Sequence, residues 1–157
     1  MVGIEKLEAL FFKAAIKRQN GELEEIHDAN FPGSNLHMYQ EGNLRYVHLQ
    51  SRGETTGWGT QFIYEGDNLR WYMDSRGACK SKESADFLKL ALLEAYQRGE
   101  FLAGRGPDGF TAPRFSGFIY FSEVASGSSF IKFSCGEKIL KDGKDEGIHM
   151  VSGRITF

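Results

Sequence analysis

Two stretches of the chain repeat their apolar residues at helical spacing. Ile4, Leu7, Leu10, Phe11 and Ala14 line one side of a segment that runs to about Arg18, with Glu5, Glu8, Lys13 and Lys17 opposite, and Asn20-Gly21 supplies a stop. From about Ser81 to Arg98 the stripe returns as Phe87, Leu88, Ala91, Leu92 and Ala95. Ser81 is placed to cap the first turn and Gly99 to end the last. Between these two predicted helices the period changes to two. Leu36 to Glu41, a turn at Gly42-Asn43, and Leu44 to Leu49 predict a hairpin. A second hairpin follows from Thr60 to Glu65, a turn at Gly66-Asp67, and Leu69 to Asp74. In the second half, strands are expected over 118–124, 129–134, 137–140 and 148–157, separated by glycine-bearing turns.

The pattern predicts an α+β fold, two helices packed on a largely antiparallel sheet. Sliding the chain by 77 residues lays the first helix on the second and puts Gly59 on Gly136, Gly66 on Gly143, Met73 on Met150 and Ser75 on Ser152. This offset suggests a tandem repeat of helix plus four strands. The 157 residues are then one domain over 1–157, with pseudo-symmetric halves 1–78 and 79–157 as the alternative description.

Composition narrows the function classes. Thirteen Phe, six Tyr and two Trp supply apolar area with directional packing, as a folded core requires. A formal net charge of −2 with mixed signs gives no footprint for a phosphate backbone, so no nucleic acid is expected to bind through this chain alone. Cys79 and Cys135 lack the spacing of a zinc ligand pair, and neither lies in a nucleophile signature. Charges at Glu5 and Lys6 interrupt the place of a signal-peptide core, and no run approaches the roughly 20 apolar residues that cross a bilayer. The expectation is a cytoplasmic protein with no membrane partner, no cofactor and no metal.

The words Glu41-Gly42-Asn43-Leu44-Arg45-Tyr46, Trp58-Gly59 followed by Ile63-Tyr64, Gly66 with Trp71 and Met73, and Phe133 with Gly136-Glu137-Lys138-Ile139 run through most of the chain. On these residues the chain resembles an uncharacterised bacterial domain-of-unknown-function family, some members of which carry a helix-turn-helix domain ahead of it. The resemblance implies a fold and no activity.

Candidate chemistry sits on the hairpins. A turn at Gly42-Asn43 pairs Tyr39 with Tyr46 and His37 with His48. Leu36, Met38, Val47 and Leu49 then form one face, assigned to the core. The face with His37, Tyr39, Tyr46 and His48 suits either an exposed cross-strand ladder or a ligand surface. A two-residue turn in the second hairpin puts Gln61 with Arg70, Tyr72 and Asp74, a set able to hold a small polar ligand through a bidentate arginine fork, or to form a solvated face. Phe62, Trp71 and Met73 are assigned to the core behind it. The glycine- and proline-rich stretch 103–114 reads as a binding loop or a linker, with Arg105 and Arg114 its residues to test. Glu137 reads as a turn-flanking surface carboxylate, or as a general base if a cleft buries it. Phe118, Tyr120, Phe121, Phe130 and Phe133 read as core.

The resulting expectation is a non-enzymatic small-molecule-binding or sensor-like domain. The alternatives are an interaction or scaffold module, with an edge strand able to pair across a homodimer, and an enzyme using His48, Asp74 or Glu137 as acid or base.

Overall fold

The computed structural model describes residues 2–51, 53, 55–103 and 105–156. Gly104 of the predicted loop and Phe157 at the end of the last predicted strand lie outside the described residues. The elements in order are α1 (Ile4–Gln19), β1 (Ser34–Glu41), β2 (Leu44–Ser51), β3 (Thr56–Glu65), β4 (Asn68–Cys79), α2 (Lys82–Arg98), β5 (Phe118–Val124), β6 (Lys132–Lys141) and β7 (Lys144–Ile155). All seven strands form one sheet in the order β1-β2-β3-β4-β7-β6-β5, every neighbour antiparallel. The fold is α+β.

Local chemistry fixes the helix ends. Ser81 accepts from the backbone N–H of Ser84 at 3.1 Å while Ser84 Oγ accepts from the Ser81 backbone, a reciprocal cap that satisfies donors the first turn leaves free. Gly99 closes α2 at φ 64°, a left-handed conformation that glycine adopts without a Cβ clash.

Both helices lie on one face of the sheet. Phe11 of α1 packs against Trp71 of β4 with ring centroids 5.1 Å apart, and meets Tyr96 of α2 edge-on at 5.6 Å. Phe87 of α2 packs on Phe118 of β5 at 5.2 Å. Trp71 stacks on Phe130 at 4.8 Å and donates its indole N–H to the Phe130 carbonyl at 3.0 Å, so the largest buried side chain has its polar atom satisfied. Among the described residues the other face of the sheet carries no helix, and Met38, Ile148 and Met150 are 45%, 63% and 58% exposed there.

The β3–β4 and β6–β7 hairpins share one irregularity. Each has a two-residue turn and then skips a residue on its second strand: Tyr64 pairs with Leu69 but Ile63 with Trp71, and Leu140 pairs with Asp145 but Ile139 with Gly147. Ile63 and Ile139, and likewise Trp71 and Gly147, are 76 residues apart, one less than the offset that aligned the turn glycines. The correspondence is partial, since four strands follow α1 and three follow α2. The segments expected as separate strands over 129–134 and 137–140 are largely one strand, β6, with Gly136 inside it rather than at a turn.

Hairpin register and face assignment part company. Tyr39 does face Tyr46 and His37 does face His48. The faces, however, are the reverse of those expected: Tyr46, His37 and His48 point under the helices, while Leu36, Met38, Val47 and Leu49 look outward and are exposed or half-buried. In the second hairpin the bulge at Arg70 shifts the pairing. Gln61 therefore lies beside Met73 and shares the helix-bearing face with Ile63 and Trp71, whereas Phe62 joins Tyr72 and Asp74 outside. Phe121, expected in the core, is 36% exposed on β5.

Candidate ligand-binding cavity

Inward positions of a strand recur every second residue, so β3 presents Gly57, Gly59, Gln61 and Ile63 to the helices, and β4 presents Trp71, Met73, Ser75, Gly77 and Cys79. The large residues fill the half of the sheet under Phe11. The small ones leave the other half unfilled. Above them a cavity of about 540 Å³ opens between the sheet and the C-terminal end of α1 and the N-terminal half of α2. Its floor includes Gly57, Gly59 and Ser75. Its polar wall holds Arg18, His37, His48, Gln61, Arg105 and His149, and its apolar wall Ala85, Leu88 and Leu92.

Arg18 reaches this wall because it continues the buried stripe of α1. Leu7, Phe11, Ala14 and Arg18 follow one another at spacings of three and four, so a charge stands where the helix faces the sheet. Among the described residues no carboxylate pairs with Arg18, and its Nε is buried without a hydrogen-bond partner. Arg105 differs. Its Nη2 donates to Glu137 Oε2 at 2.7 Å, its Nε to Oε1 at 3.1 Å, and its backbone N–H to the same Oε1 at 2.8 Å. Burial pushes the Glu137 carboxyl up, but the Arg105 charge and hydrogen bonds outweigh it and hold the group below the usual carboxylate range. Glu137 is thus a fully buried half of an ion pair, not the expected surface carboxylate. Its partner comes from the predicted loop, which is pinned to the sheet rather than free: Phe110 bridges Tyr120, Asp108 accepts from the Ser122 N–H, and the Gly106 N–H donates to Tyr120 Oη. Arg114 stays exposed, its guanidinium over the Phe115 ring.

The three histidines of the wall are all held toward the neutral form. His48 is 4% exposed. Burial drives its pKa well below the ordinary value, and the charges of Arg18, His37 and Arg105 add to the effect. Its ring stacks on His37 at 6.2 Å, and His37 Nδ1 lies 3.2 Å from the Glu24 carbonyl oxygen. Burial and then Arg18 lower His37 as well. His149 reaches the cavity from β7 across Gly77, whose missing Cβ leaves room for the imidazole. Burial and then Arg105 bring its pKa down to about 4. Among the described residues, His48 Nδ1 and His149 Nδ1 have no hydrogen-bond partner. Tyr46, fully buried, donates to Gln61 Oε1 at 2.7 Å and so orients the amide.

Of the residues proposed from sequence, the structure gathers His37, His48 and Gln61 at the cavity, with Tyr46 behind Gln61. Tyr39 lies at the margin of α1, its hydroxyl donating to Glu41 at 2.7 Å and its ring under Lys13 and Lys17. Arg70, Tyr72 and Asp74 are on the other side of the sheet. There Arg70 approaches Glu65 at 3.6 Å, and Asp74 accepts from Thr60 at 2.9 Å and from Arg76 at 3.0 Å. Hence the set of Gln61, Arg70, Tyr72 and Asp74 is not assembled, and the acid–base trio of His48, Asp74 and Glu137 is divided between the two faces. Arg18 and His149 were missed by the sequence reading, although both stand at legible positions: Arg18 on a helical apolar stripe, His149 alternating with Val151 and Ile155. Among the described residues no helix is long and apolar enough to cross a membrane.

No family model, no curated protein and no solved structure matches this chain.

Proposed function

We propose that the protein binds a small molecule in the cavity between its helices and sheet, without converting it. One observation carries this reading: Arg18, His37, His48, Gln61, Arg105 and His149 gather at one half-open cavity opposite Ala85, Leu88 and Leu92. A few polar side chains set against an apolar wall are the make-up of a small-molecule site. The volume falls within the roughly 300–1,000 Å³ of small-molecule sites. An enzyme reading draws less support, because Glu137 is closed by Arg105 and Asp74 is across the sheet from the imidazoles.

The test is a thermal-shift panel of metabolites with native mass spectrometry of protein purified without supplements. Ligands that stabilise the protein should lose their effect in Ala85→Met, which fills the cavity from α2. A panel without stabilising compounds, together with a bare mass, would remove the proposal.

The uncovered face favours a second reading, an interaction module or homodimer. Met38, Val47, Phe62 and Tyr72 are cross-strand neighbours and form an unbroken apolar row over β1 to β4. Sedimentation should show self-association that Phe62→Glu abolishes; a monomer at all concentrations counts against it.

A further inference from the structure

We infer that the uncovered face of the sheet binds single-stranded nucleic acid, its bases stacking on Trp58, Phe62, Tyr64 and Tyr72 and its phosphates meeting Arg45, Arg154 and Lys132. This rests on that face being an interaction surface and adds the chemistry of the partner.

Strand register interleaves rings and cations. Arg45 stands opposite Tyr64, Arg76 opposite Trp58, and Arg154 opposite Tyr72, so each of these aromatic side chains has an arginine as its direct cross-strand neighbour. Phe62 lies in the same surface between Val47 and Tyr72, and the Arg45 guanidinium sits 5.3 Å from the centre of the Tyr64 ring. Trp58 and Arg76 are exposed, while Phe62, Tyr64 and Tyr72 are half-buried in the sheet surface. Outward positions of a strand are about 6.8 Å apart, so Trp58, Thr60, Phe62 and Tyr64 lay a track of about 20 Å along β3. Successive bases of an extended strand find rings along it, and every base has a π face to stack.

Charge on this face departs from the average of the chain. Its outward cations are Arg45, Arg76, Arg154, Lys132 and Lys138, and its outward carboxylates are Asp74, Glu123 and Asp145. Asp74, the carboxylate among the rings, accepts from Arg76 Nε at 3.0 Å and from Thr60 Oγ1 at 2.9 Å, and Lys138 lies 2.8 Å from Asp145. Acidic residues gather elsewhere, as in Glu22, Glu24, Glu25 and Asp28 of the segment between α1 and β1. The net charge of −2 therefore averages over a sheet face that is itself basic.

The same features decide between partners. In a two-fold pairing of this face with a second copy, one basic surface would meet another, and like charges would be desolvated against each other. A duplex keeps its base faces stacked inside, and a sheet face does not enter its groove. A single strand offers open π faces and phosphates together, the two chemistries that alternate across these strands.

The experiment measures fluorescence anisotropy of labelled oligothymidylate, oligouridylate and a DNA duplex, each fifteen nucleotides long, titrated with the full chain at rising salt. At least one single strand should bind ten-fold or more tightly than the duplex, and the two single-strand arms identify the preferred sugar. Log affinity should fall against log salt with a slope of about −2, for three cations at about 0.7 each. Trp58→Leu and Tyr72→Leu should each weaken binding about five-fold or more and leave that slope unchanged, whereas Arg154→Gln should make it shallower, a split that a folding defect does not produce. A duplex bound as tightly as either single strand, or aromatic variants that bind like the wild type, would overturn the inference. So would an absence of binding to all three probes. In that case self-association of the same samples in sedimentation would leave the face an interaction surface with a different partner, and a monomer would remove both readings.

Discussion

Arg105 and Glu137, 32 residues apart in the chain, meet as a two-point fork with Nη2 to Oε2 at 2.7 Å and Nε to Oε1 at 3.1 Å, and the carboxylate is entirely buried. The pair ties the segment after α2 to the centre of β6, beside the cavity. Both charges were taken out of water, so each depends on the other.

Removing one partner should therefore cost more than removing both. Glu137→Gln is expected to lower stability by about 3–5 kcal/mol, because it leaves the Arg105 charge buried without its counter-charge. Arg105→Met alone should do the same to Glu137. The double variant Arg105→Met with Glu137→Leu is expected to recover a substantial part of the loss. Urea unfolding of the four proteins completes a double-mutant cycle. Additive losses would show that the two groups are independent.

Glycines of the sheet are not equivalent, and their surroundings say which one matters. A Cβ on Gly77 would overlap the Ile148 carbonyl and the His149 ring, so Gly77→Ala must push β7 away from β4 or turn the imidazole. A loss of about 1–3 kcal/mol is expected from such overpacking. Gly136, on the uncovered face, would meet only Met150 Sδ at 3.7 Å, an ordinary contact. Gly136→Ala should accordingly be neutral or stabilising by up to about 1 kcal/mol, since it restricts the unfolded chain. Denaturation midpoints of the two variants decide it, and equal losses would contradict the packing seen around Gly77.

How much of this was readable in the chain depended on the range of the interaction. Both helices were legible because their stripes and the Ser81 and Gly99 caps are local. The pairing of His37 with His48 was legible because a two-residue turn sets the register. Which face is buried was not legible, since Leu36, Met38, Val47 and Leu49 make the outer face as apolar as a core face. Only the placement of α1 and α2 decides between them. The skipped Arg70 has no signal of its own, and it moves Gln61 away from Tyr72 and Asp74. The Glu137 partner lies 32 residues away, which no spacing rule reaches. Arg18 is the instructive miss: a cation at heptad spacing from Phe11 was read as the end of a stripe, when it was the part of the stripe that faces the cavity.

Acidification should weaken the fold through its imidazoles before its carboxylates. His149 titrates in the folded protein at about 4 against an ordinary value of 6.5, and burial lowers His37 and His48 in the same direction. Between those values the unfolded chain binds protons that the folded chain does not, so unfolding becomes more favourable as the pH falls. The contribution is complete above about pH 6.5 and shrinks toward pH 4. The surroundings of His149 set its size: Arg105 disfavours the imidazolium, and Glu137 favours it without overcoming burial and Arg105. Surface carboxylates paired with lysines, such as Glu22 and Glu41, are held below 4.5 and lose their contribution at lower pH. Urea midpoints at pH 7.5, 6 and 4.5 should fall monotonically in the wild type. In His149→Gln the slope over this range should flatten, because one group that releases its proton on folding is gone. A pH-independent midpoint from 7.5 to 4.5 in the wild type would mean that these imidazoles are not shielded from water in the folded protein.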